Sequence, residues 1–137
     1  MAVIEELIRS EADGSLSFGN YELSEKSKKS GFEHNGDLYK VKTFHEITRL
    51  ERNDLFVYES VPGTVVTELK ATEDGITFNV EGKEDAQITL ELEPGCEYDI
   101  QVSGNDEGKM KTNLGGKLSL SVELGDGKVI PVSVKKA

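Results

Sequence analysis

Two histidines, one cysteine, three arginines and 26 carboxylates are the side chains of this 137-residue sequence best suited to chemistry. His34 and His45 have no companion cysteine, and their separation misses the usual zinc spacings. Asp99, Gln101 and Ser103 ahead of Gly104 imitate the opening of a calcium loop. The position that should hold a bidentate Glu is Met110, so the match fails. Asn105-Asp106-Glu107-Gly108 then reads as a solvated hairpin tip. Cys96 sits among Glu93, Glu97 and Asp99, which disfavour a thiolate, so a structural thiol is expected.

Nucleophilic catalysis finds no support either. There is no Gly-x-Ser-x-Gly elbow. His45 and Glu46 are neighbours in sequence, but on a strand they would point to opposite faces. Gly115-Gly116 leads into the alternating run Lys117-Leu118-Ser119-Leu120, not into a phosphate-binding helix. With so many acids, carboxylate pairs at glycosidase separation arise by chance, and a small glycan hydrolase is only the third reading. No catalytic residue, metal or cofactor is expected.

Recognition is the better prospect. Sugar C–H faces stack on aromatic rings, and Tyr39, Phe44 and Tyr58 are the candidate platforms, with Arg49 and Arg52 as charged donors. Core filling competes for each of these rings, and the chain has no Trp.

The elements that would position these residues follow from the wider pattern. The break Val61-Pro62-Gly63 divides the chain into residues 1–61 and 62–137. The first part holds all three Arg, both His and seven of the nine aromatics. In the second, Ile76/Phe78/Val80, Ile88/Leu90/Leu92, Tyr98/Ile100/Val102, Leu118/Leu120/Val122/Leu124 and Val132/Val134 alternate with polar residues. A period of two places each set on one sheet face. Turn signals separate the runs: Glu73-Asp74-Gly75, Glu81-Gly82-Lys83, Pro94-Gly95, Gly104-Asn105-Asp106, Gly115-Gly116 and Gly125-Asp126-Gly127. The expectation is an antiparallel β-sandwich of six to seven strands, with Pro131 on an edge strand or at a bulge.

In the first part, Asn35-Gly36 and Asn53-Asp54 predict two hairpins. Ile4, Leu7 and Ile8 allow a short helix, with a hairpin through Ala12-Asp13-Gly14 as the competing reading. Glu25–Ser30 carries no apolar residue and reads as an exposed loop. The chain is therefore expected to be all-β: an N-terminal β-hairpin region, aromatic-rich and suited to binding or oligomerisation, packed on or extending a C-terminal sandwich.

Sixteen Lys and Arg against 26 Asp and Glu give a net charge of −10, which argues against a nucleic-acid partner. No apolar run approaches the roughly 18 residues of a membrane span. Glu5-Glu6 interrupts the N-terminal apolar run, so a signal peptide is not expected. A cytoplasmic location follows as the expectation, or the cell surface if a leader has been removed.

Two resemblances appear on these strands. The segments Leu92–Val102 and Thr112–Val122 resemble the closing strands of fibronectin-type-III-like or immunoglobulin-like modules, in which a Pro-Gly turn precedes a Tyr-bearing strand. That likeness implies an accessory or binding role, often beside glycan-active enzymes. Gly36–Thr43 and Tyr58–Thr64 resemble small bacterial proteins that carry an endosialidase label, over nearly the whole chain. A sialidase-type site would imply a six-bladed propeller with three Arg on the substrate carboxylate, a Tyr/Glu pair and an Asp acid. This chain is too short for that propeller. Thr72-Glu73-Asp74-Gly75-Ile76-Thr77-Phe78 lacks one residue of the propeller's Asp-box. The leading expectation is a non-catalytic structural or protein-interaction module that binds itself or another protein. A carbohydrate-binding accessory module is the alternative.

Overall fold

The computed structural model describes residues 3–125 and 128–137. The turn expected at Gly125-Asp126-Gly127 lies partly outside the described residues. Thirteen strands form, and no helix forms among the described residues. They are β1 (Ile8–Ser10), β2 (Leu16–Phe18), β3 (Ser27–His34), β4 (Asp37–Phe44), β5 (Ile47–Arg52), β6 (Leu55–Val61) and β7 (Val65–Thr72), then β8 (Gly75–Glu81), β9 (Ala86–Glu91), β10 (Glu97–Val102), β11 (Asn105–Lys111), β12 (Lys117–Val122) and β13 (Ile130–Lys136).

They build two antiparallel sheets, a seven-stranded one ordered β1-β2-β7-β8-β13-β10-β11 and a six-stranded one ordered β12-β9-β6-β5-β4-β3. The expected all-β sandwich architecture is present. One core cluster draws on both sheets and on both sides of residue 61, from Phe18, Val41 and Leu50 to Ile88, Leu120 and Val134. The N-terminal hairpins extend each sheet: β1 and β2 join one, β3–β6 the other. Alternation along β9, β12 and β13 turns Ile88, Leu90, Leu118, Leu120, Val132 and Val134 inward, as the period of two requires.

Turn chemistry sets the meander β3–β6. Asn35-Gly36 and Asn53-Asp54 all take positive φ, so each pair forms a two-residue turn that follows the strand twist. His45-Glu46 makes a third two-residue connection, between β4 and β5, that the composition did not announce.

One open choice is decided and two expectations are corrected. Residues 8–18 form the hairpin β1–β2 through Asp13-Gly14 and not a helix; Asp13 accepts bonds from the Ser15 amide (3.0 Å) and hydroxyl (2.6 Å), closing the turn. Ser27–Ser30 is the start of edge strand β3 and not a loop, because an edge strand has no need of an apolar face there. Pro131 lies in a central strand, paired with Asn79 of β8. It is tolerated because it stands just beyond the end of the β10–β13 ladder, where its carbonyl still accepts the Ser103 amide at 2.8 Å.

Four strands end the sheets, and they differ. β1 has three residues. β3 carries Lys28 and Lys29 and a register shift before Phe32. β11 is charged, fully exposed and shifted in register opposite β10. β12 runs opposite β9 with no register shift, and its outward residues after Lys117 are Ser119 and Ser121.

Candidate binding face of the six-stranded sheet

The five residues singled out in the sequence go to three different places. Tyr39 and Tyr58 turn inward. Tyr58 is fully buried, edge-on to Phe18 (5.4 Å) and Phe78 (5.6 Å), and burial pushes its hydroxyl up to about 12. Tyr39 joins the core and packs edge-on against His34 at 5.9 Å. Neither ring offers a face to a ligand, which corrects the expectation that they act as platforms. Their parity explains it: Tyr39 alternates with Lys40, and Tyr58 with Glu59.

Arg52 is exposed at the end of β5. It borders a groove of about 860 Å³ at the open end of the sandwich, with Glu73, Glu91, Glu93 and Lys136 among its neighbours. Phe44 and Arg49 remain on the outer face of the sheet, on neighbouring strands β4 and β5. Arg49 and Arg52 are thus not gathered on one substrate carboxylate.

The register assembles something the sequence did not show. Lys28 of β3 stands opposite Lys42 of β4, which stands opposite Arg49 of β5, which stands opposite Glu59 of β6. Lys40 lies one outward position along β4, opposite Glu51. Lys28, Lys40, Lys42, Arg49 and Glu51 surround a hollow of about 60 Å³. Arg49 is held in place: its Nε donates to Glu51 (3.1 Å), its Nη1 to Glu59 (3.1 Å), and its guanidinium lies 5.0 Å from the Phe56 ring centre. Lys117 covers the same ring at 4.9 Å. Lys28, Lys40 and Lys42 have no carboxylate partner among the described residues. The cations around this hollow outnumber Glu51, so an anion brought here meets net attraction. Beside this row Phe44, Ile47 and Val61 form an outer apolar margin; Val61 is 52% exposed.

The other reactive side chains are occupied structurally. His34 is buried; its Nδ1 shares a 2.6 Å hydrogen bond with Ser10 Oγ, and its Nε2 stands 3.1 Å from the Gly14 carbonyl, so it pins β3 to the β1–β2 hairpin. The Cys96 thiol donates to Glu93 Oε2 at 3.3 Å, and that carboxylate pushes its pKa up, away from thiolate chemistry. Among the described residues no group of His, Cys, Asp and Glu is placed to hold a metal ion. Among them also, no helix is long and apolar enough to cross a membrane.

Behind the face lies a buried hydroxyl relay that fixes the crossing from β6 to β7. Thr48 Oγ1 donates to the Thr64 carbonyl (2.8 Å). Its single proton being spent, its oxygen accepts from the Thr64 amide (3.1 Å) and from Thr43 Oγ1 (2.8 Å). Thr43 Oγ1 in turn accepts the Asn20 amide at 2.9 Å. Thr64 Oγ1 meets both Tyr58 Oη and Ser60 Oγ at 2.8 Å. Gly63 belongs here because a Cβ would collide with the Phe44 carbonyl. The relay holds the ends of β4, β5 and β6 together and so keeps Phe44 and Arg49 on one rigid surface.

No family model, no curated protein and no solved structure matches this chain.

Proposed function

We propose that this chain is a non-catalytic interaction module that takes an acidic protein segment on the outer face of β3–β5. The observation that carries the reading is the cluster Lys28, Lys40 and Lys42 beside a fixed Arg49, unpartnered by carboxylates among the described residues, in a chain of net charge −10. An acidic protein has little general attraction for anions, so a local basic patch gives selectivity as well as a faster encounter. The apolar margin of Phe44, Ile47 and Val61 suits a segment that mixes acidic and aliphatic residues.

The test is fluorescence anisotropy with a short labelled oligo-glutamate peptide. Binding is expected at low salt, weakening as salt rises, and is expected to be lost in the triple variant Lys28→Ala/Lys40→Ala/Lys42→Ala. No binding at low ionic strength, or equal binding by the triple variant, would sink the proposal.

A carbohydrate-binding role is the second reading, favoured by a different surface. Glu68, Lys70, Thr77, Asn79, Gln101 and Ser133 line a shallow trough of about 390 Å³ on the seven-stranded sheet. Its polar groups suit sugar hydroxyls, and a glycan array reads this directly.

A further inference from the structure

Accounting for backbone groups separates β12 from the other edge strands. The Gly116 carbonyl accepts the Leu92 amide at 2.7 Å, so Gly116 faces β9. Lys117 faces away: its amide donates to Asn113 Oδ1 (2.9 Å) and its carbonyl accepts the Asn113 amide (3.0 Å). Antiparallel pairing alternates, so Leu118, Leu120 and Val122 direct their N–H and C=O groups to β9, whereas Ser119 and Ser121 direct theirs off the sheet. β1 is short, β3 is guarded by lysines and a bulge, and β11 by charges and a bulge. These are the usual protections of an exposed edge, and the Ser119–Ser121 stretch has none of them.

The sequence of this edge is complementary to itself. Reversed about Leu120, the run Leu118-Ser119-Leu120-Ser121-Val122 sets Leu118 against Val122 and Ser119 against Ser121; Lys117 and Glu123 fall at the margins, where Asn113 already fills the edge of the Lys117 backbone and only the two side chains meet. In that register the two outward-facing residues of one strand oppose the two outward-facing residues of the other. Four backbone hydrogen bonds close, and inward side chains meet inward side chains. We propose that β12 is the docking edge for a second copy of this chain, paired antiparallel about Leu120 across a two-fold axis, so that two six-stranded sheets become one. A two-fold contact needs a patch complementary to itself, and both the alternation and the charges of β12 meet that need. Lys117 rests on Phe56 in the single chain, and its ammonium exchanges that exposed contact for Glu123 of the second copy.

This inference is independent of the basic face, which lies at the opposite edge of the same sheet. It is tested by sedimentation velocity of the full chain over a wide concentration range. The wild type is expected to pass from monomer to dimer as concentration rises. Ser121→Pro removes an N–H that has no partner among the described residues of the monomer, so folding is expected to survive, while the dimer loses two of its four bonds and dissociates at least about tenfold more readily. Lys117→Glu brings like charges together at both margins and is expected to weaken association about tenfold, with recovery in Lys117→Glu/Glu123→Lys. Lys26→Glu, beside the far edge and outside the basic cluster, is expected to leave association unchanged. A monomer at all concentrations, a dimer indifferent to Ser121→Pro, or a charge reversal that fails to recover would each overturn the assignment.

Discussion

The two halves of the six-stranded sheet are built on opposite plans. The β9–β12 half has an aliphatic interior of Ile88, Leu90, Leu118, Leu120 and Val122, an outer face of Thr89, Ser119 and Ser121, and an unshifted register. The β3–β6 half threads hydroxyls through its interior at the crossing end, carries cations outside, and shifts register in both β3 and β6. Both parts share the apolar core, and only the β3–β6 part adds a network of directional bonds to it. A surface that must keep like charges side by side needs the more rigid support.

Substitutions in the two interiors should break in different currencies. Leu90→Ala is expected to have the largest effect, a loss of about 2–5 kcal/mol, because a fully buried side chain leaves a cavity. Chemical denaturation measures it. Thr48→Val keeps the shape and removes the hydroxyl, orphaning the Thr64 carbonyl and amide and the Thr43 hydroxyl. We expect a loss of about 2 kcal/mol by the same measurement. A neutral Thr48→Val would erase the contrast between the halves.

Tyr58 gives the hydroxyl-rich half an alkaline limit. Its hydroxyl is raised by burial to about 12, against about 10 in an unfolded chain. The stability that this group contributes is therefore full below pH 10 and is lost as pH rises toward 12, because only the unfolded state readily releases the proton. Tyr58→Phe is expected to flatten the fall in thermal midpoint between pH 10 and 12. An unchanged slope would show that other groups set the limit.

The smallest expected effect has an unusual sign. Lys28 and Lys42 are directly opposed across β3 and β4, and like charges so placed destabilise. Lys28→Glu should therefore raise stability by about 0.2–1 kcal/mol while weakening the oligo-glutamate complex. If stability falls and binding holds, the cations are not opposed in solution as their register implies.

How much of this was readable in advance depended on whether a strand buries one face. β8, β9, β10, β12 and β13 do, and their alternation exposed them. β11 is exposed throughout and leaves no such trace. β7 was hidden by its own bulge: Glu68 takes a positive φ, so the pattern from Val66 to Leu69 slips by one residue. The Asn35-Gly36 and Asn53-Asp54 turns were legible because their φ demands favour those residue types. The basic face was not legible. Lys28, Lys42 and Arg49 are distant in sequence and meet only once the register of three strands is fixed. Parity did hold one missed signal: Lys40 and Lys42 outward on β4 require Tyr39 and Val41 inward.

The three two-residue connections of the β3–β6 meander also bear on how the chain finds its fold. Each joins strands adjacent in both sequence and space, so closing them costs little loop entropy. The seven-stranded sheet has local hairpins of its own, β1–β2, β7–β8 and β10–β11, but joining them needs contacts of long span. β2 must find β7 across the whole meander, and β13 must insert between β8 and β10 after β12 has gone to the other sheet. Contacts of short span form sooner than those of long span. The basic face, a locally closed unit, is therefore expected to form before β13 seals the sandwich.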